Sequence, residues 1–104
     1  MSNHPTRTLL SWRFNAANYQ DKLVVIAVLE ELERARAKHP AFPADVVHQA
    51  GIVSEESGEL MKAAIDNSYH GGPINDLLTE AVQTAATAIR LVVFHSTHDQ
   101  RADN

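Results

Sequence analysis

Three glutamates, Glu55, Glu56 and Glu59, fall within little more than one helical turn of sequence. Carboxylates at that spacing repel one another unless something positive stands between them. The segment itself offers Lys62, three residues after Glu59, and little else. A hard divalent cation would relieve the crowding, because magnesium favours carboxylate oxygen and often bridges protein to a substrate phosphate. Further along, Asp76, Glu80, Gln83 and Thr87 recur at intervals of four and three, the spacing of one stripe on a helix. If the two helices carrying these groups pack antiparallel, Glu56 and Glu59 face Glu80 and Gln83 across a groove. The same stripe, extended by Thr84 and Arg90, also reads as a solvent face, and spacing by itself leaves both readings open.

The elements that must position these residues follow from caps, breakers and period. Asn18 is an N-cap, with Asp21 favouring the positive end of a helix over Tyr19–Lys38. That helix stops before His39-Pro40, because the residue ahead of a proline is pushed out of helical geometry. Pro43 suits the first turn of a second helix, over residues 44–67. Tyr69 to Pro73 reads as a loop in which Gly71-Gly72 serves as turn and cap. A third helix spans 74–95, with Leu78, Val82, Ala85, Ile89, Val92 and Val93 on its apolar face. On the second helix Val46, Ala50, Val53, Leu60, Met61 and Ala64 form a core stripe, with the glutamates on the other side and Glu56 beside the seam. The expectation is an all-α single domain over 1–104, a small bundle of three main helices, with a core of 18–95 and less regular ends at 1–17 and 96–104.

Leu23 to Leu29 leave no polar face over two turns of the first helix. A helix apolar all round must be buried all round, so in so short a chain the run points to a subunit interface. Of the less regular N-terminal residues, Leu9, Leu10, Trp12 and Phe14 could pack onto a neighbour, with Trp12 an interface anchor or a stacking partner for a base.

Composition narrows the classes. With a formal net charge of −4 and no basic block, the chain is not built to grip a nucleic acid backbone. It has no cysteine, which removes disulfides and thiolate metal sites. No signal-peptide pattern opens the sequence, and the Leu23–Leu29 run is far too short for a bilayer. A cytoplasmic protein with no membrane partner is the plain expectation.

Glu55-Glu56-Ser57-Gly58-Glu59, a spacer of 20 residues, and then Glu80 resemble the signature of the MazG-like family: Glu-Glu-x-x-Glu, a spacer, then Glu-x-x-Asp. The surroundings agree, with Lys38-His39-Pro40-x-Phe42-Pro43 before the motif and Glu-x-x-Gln-Thr-Ala-Ala-x-Ala-Ile-Arg at 80–90. The likeness covers about residues 28–93. It implies an all-α nucleoside triphosphate pyrophosphohydrolase that assembles as a dimer or tetramer and converts (d)NTP and water to (d)NMP and diphosphate. By the same resemblance Glu56, Glu59 and Glu80 would be Mg²⁺ ligands, with Mn²⁺ a possible substitute, and Glu55 a further ligand or the base that orients water. The chain departs from the signature at Gln83, which stands where the family has aspartate; its amide oxygen can coordinate but adds no charge. The alternative is a catalytically silent helical oligomer that binds nucleotides or other proteins.

Other residues admit plainer roles beside the sharper ones. Lys62 is a candidate phosphate contact or a solvated partner of Glu59. Arg34 and Lys38 would reach a ligand from a neighbouring subunit or simply favour the negative end of their helix. His48 lies in the sector of Ile52 and Glu55, as a wall of a nucleotide pocket or a surface histidine. Gly51 and Gly58 share a face, where glycine's helix cost suggests close approach of another backbone or room for a phosphate. His95 and His98 have helical spacing but sit near a fraying end, so metal binding there is not expected.

Overall fold

The computed structural model describes residues 18–102. Among them are three helices and no strand: α1 (Tyr19–Lys38), α2 (Val46–His70) and α3 (Ile74–Ala102). The expectations on Leu9, Leu10, Trp12, Phe14 and the His98 side chain lie outside the described residues.

α1 begins and ends where its sequence signals say. The Asn18 side-chain oxygen accepts from the Asp21 amide at 2.8 Å, and the His39 N–H closes the last turn on the Ala35 carbonyl at 2.8 Å. The start of α2 differs from the expectation. Pro43 is not in its first turn; Asp45 caps it, accepting from the His48 amide at 2.9 Å. An aspartate offers an acceptor to an orphan helix amide, which a proline cannot. Pro43 serves differently, its carbonyl accepting from the Gln49 side-chain amide at 2.7 Å.

The far end of α2 also runs on, through Tyr69 and His70, because the stop is set by Gly71 in the left-handed region at φ 72°. The Gly72 amide then donates to the Asp66 carbonyl at 2.9 Å and the Asn67 side chain donates to the Gly72 carbonyl at 2.8 Å, a closed C-terminal turn. A β-carbon at Gly72 would sit 3.1 Å from that of Asp66, a tight fit that a side chain there would strain. α3 starts at Ile74 as expected but extends to Ala102, beyond the expected 95.

α3 lies in the middle, packed against both α2 and α1, while α1 and α2 scarcely touch each other. The result is a slab of 53 × 36 × 20 Å. Its apolar centre is small: Val28 and Leu32 of α1 meet Ala86 of α3, with Val82, Ala85 and Ile89 packed around them. Helices lying side by side cover only their flanks, and this corrects part of the expected core. On α2, Val53, Leu60 and Ala64 are half-buried, but Val46, Ala50 and Met61 face outward, Met61 at 62 % exposure. On α3, Leu78, Val92 and Val93 are exposed. Of the apolar run on α1 only Val28 is buried; Leu23, Val24, Val25, Ile26 and Leu29 are all exposed in the single chain. The stretch Ile74–Ser96 is long and apolar enough by length and composition to cross a bilayer, a property that a search for unbroken apolar runs misses.

Gly51 and Gly58 lie mid-helix with nothing within 4 Å of where a β-carbon would stand. Among the described residues no other backbone approaches them closely.

Candidate functional site

Because α1 and α2 flank α3 without meeting, a cleft of 620 Å³ opens between them. Its α1 wall carries Glu31, Arg34 and Lys38, its α2 wall Ile52, Glu55 and Glu56, and α3 contributes Gln83, Ala86, Thr87 and Arg90. A smaller cleft of 210 Å³ continues along the α2–α3 seam toward the Gly72-Pro73 turn, lined by Glu59, Lys62 and Asp66 from α2 and by Asp76, Thr79 and Glu80 from α3. The acidic residues singled out in the sequence thus distribute along one seam. Glu55, Glu56 and Gln83 belong to the wide part and Glu59 and Glu80 to the narrow part.

Glu56 is where the two parts meet electrostatically. Burial holds its carboxyl above the ordinary glutamate range, and the charges of Glu80, Glu59, Glu31 and Glu55 push it the same way. Among the described residues no lysine or arginine forms an ion pair with Glu55, Glu56, Glu59 or Glu80. Nor do three acidic or histidine side chains among them converge closely enough to form a ready metal cage. The donor chemistry nonetheless suits a hard cation: unpaired carboxylate oxygens with an amide oxygen beside them.

The stripe on α3 is mixed, with Asp76 exposed and the rest partly covered. Glu80, Gln83, Thr84, Thr87 and Arg90 are all half-buried. The Thr84 hydroxyl donates to the Glu80 carbonyl at 2.8 Å and that of Thr87 to the Gln83 carbonyl at 2.9 Å, so both threonines are turned back onto their own helix.

Arg90 has a role the sequence did not disclose. Its guanidinium donates to the carbonyls of His39 at 2.6 Å and of Ala35 and Pro40 at 3.4 Å, terminating α1 from outside. It also lies over the Phe42 ring, 4.9 Å from its centroid. Burial and the nearby Arg36 lower its pKa. Phe42 in turn meets Phe94 at 5.8 Å. The linker between α1 and α2 is fixed a second time by Gln49, which is fully buried. Its amide nitrogen donates to Pro43, so its oxygen faces His95 at 2.7 Å, and the His95 Nε2 must carry the proton of that bond. His95 is therefore a structural tie.

Of the cationic candidates, Lys38 lines the wide cleft and Lys62 the narrow one. Arg34 and Lys38 reach the cleft of their own chain, with no neighbouring subunit needed. His48 lines neither cleft; it is exposed, and its amide serves the α2 cap. Sequence reasoning missed Glu31. Its signal was its place between the buried Val28 and Leu32, which turns it toward α3, and its interval of three from Arg34, with which it forms an ion pair at 2.6 Å.

The chain matches no family model, no curated protein sequence and no solved structure.

Proposed function

We propose that the protein is a divalent-cation-dependent nucleoside triphosphate pyrophosphohydrolase of MazG-like type, converting (d)NTP and water to (d)NMP and diphosphate. The observation that carries this reading is Glu56: a half-buried carboxylate in the wall of a cleft, crowded by four other glutamates and paired with no cation among the described residues. Glu55 and Glu59 beside it are exposed; what sets Glu56 apart is its half-burial together with this repulsion, which favours positive charge at a place roomy enough for a nucleotide.

In this reading Glu56, Glu59 and Glu80, with the Gln83 amide oxygen, would hold Mg²⁺ or Mn²⁺. The cation, when bound, supplies neutralisation of the phosphate oxygens. Glu55, exposed at the cleft rim, orients water for attack and accepts its proton. Lys38 and Lys62 lie at opposite ends of the seam, within the two clefts that a phosphate chain would enter. The test is a panel of canonical and modified NTPs and dNTPs with Mg²⁺, scored for diphosphate release. Turnover of one or more is expected; release from none would remove the hydrolase.

A second reading, a silent nucleotide-binding or interaction module, is favoured by Gln83, which stands where the MazG-like signature has aspartate. A homodimer or tetramer belongs to either reading, supported by the exposed apolar run of α1.

A further inference from the structure

We propose that Arg34 is the group that grips the phosphate chain of the ligand, and that the Glu31 carboxylate holds its guanidinium in readiness on the wall opposite Glu56. This rests on the reading of the wide cleft as a nucleotide site and adds to it the partner on the facing wall.

Arg34, Lys38 and Arg90 bring the cleft its permanent positive charge. Arg90 is committed. It holds three carbonyls at the end of α1 and covers Phe42, and an anion could recruit it only by undoing the helix end. Lys38 is exposed in the last turn of α1, with its ammonium on a long flexible stem, so fixing it to a ligand costs rotamer freedom.

Arg34 combines restraint with access. Its Nε and Nη2 both donate to a single oxygen of Glu31, at 3.0 and 2.6 Å. This leaves the remaining N–H groups of the planar fork open. The Arg34 side chain is 67 % exposed while that of Glu31 is 17 % exposed, so the anchor is sunk in the wall and the fork stands in the cleft mouth. A guanidinium already ordered loses less freedom on binding than an unrestrained one, and its geometry matches phosphate oxygens in pairs. The pair also offsets one of the charges that crowd Glu56. A phosphate chain drawn to the carboxylates of α2 and α3 through a cation would present its other oxygens to this α1 wall.

The experiment compares the full chain with Arg34→Gln, Arg34→Lys and Glu31→Gln, in equilibrium binding of inorganic tripolyphosphate with Mn²⁺ and in KM and kcat for diphosphate release. Loss of a charge-assisted contact predicts about 10- to 100-fold weaker tripolyphosphate binding for Arg34→Gln. KM should rise by the same factor with kcat close to wild type, while the thermal midpoint falls by a few degrees at most as Glu31 loses its partner. Arg34→Lys should recover only part of the affinity, because an ammonium cannot reproduce the fork. Glu31→Gln, which releases the guanidinium without removing it, should raise KM less than Arg34→Gln does. Unchanged binding in Arg34→Gln, full recovery in Arg34→Lys, or no tripolyphosphate binding by the wild type would each overturn the proposal. Arg34-dependent binding without diphosphate release from any nucleotide would leave it standing and remove the hydrolase alone.

Discussion

At the scale of single residues, Glu56 ties charge to both stability and activity. Its carboxyl is held above the ordinary range by burial and by four like charges. A carboxyl whose folded pKa is raised adds stability only while protonated, below its unfolded value; that contribution is lost as pH rises through the folded value. Near neutral pH without divalent cation, the ionised Glu56 therefore works against the fold. Glu56→Gln is expected to raise the thermal midpoint of the metal-free protein at about pH 7, with the gain vanishing toward about pH 4. In the hydrolase reading the same substitution lowers turnover by several orders of magnitude. Melting curves with EDTA across that pH range, beside diphosphate release with Mg²⁺, measure both. A metal-free midpoint that falls at neutral pH would remove the electrostatic account, and undiminished turnover would remove Glu56 from the chemistry.

At the scale of elements, the helices were legible wherever a side chain announces a cap or a break. Asn18, His39-Pro40 and Ile74 set boundaries that the structure keeps. Pro43 misled because the nearby Asp45 is the better amide acceptor, and the end of α2 was displaced because the left-handed turn belongs to Gly71. The acidic residues could be read from their intervals. Glu31 carried a signal of the same kind, its interval of three from Arg34; Arg90 could not be read so, because its role depends on how α1 lies against α3, and no interval within one helix encodes that. The glycines of α2 are the converse case. They suggested a close neighbour, and none stands within 4 Å. If open space is the whole story, Gly58→Ala stabilises α2 by about 0.5–1 kcal/mol through helix propensity. For a chain this short that is a rise of a few degrees in thermal midpoint, on the order of 4–8 °C per kcal/mol. A loss of stability would mean that a partner surface occupies that space in the assembled protein.

At the scale of the whole molecule, three buried apolar side chains among the described residues are a slender core for a chain of 104 residues with 44 % hydrophobic composition. The outward Leu23, Val24, Val25, Ile26 and Leu29 supply what is missing if a second copy covers them. Ile26→Glu, at a position 46 % exposed in the single chain, is expected to lower the sedimentation coefficient to that of a smaller species. An unchanged profile would show that α1 is not the contact. The slab has a further property that follows from Arg90. This one side chain, rooted in α3, reaches the last carbonyls of α1 and backs the Phe42 linker, while its stem forms part of the floor of the cleft. The gap between the outer helices is thus gauged at one end by the length of an arginine, as a strut fixes the opening of a hinge. Any molecule that wedges α1 away from α3 at this end must first take those carbonyls from it, so the mouth near Phe42 has a set span.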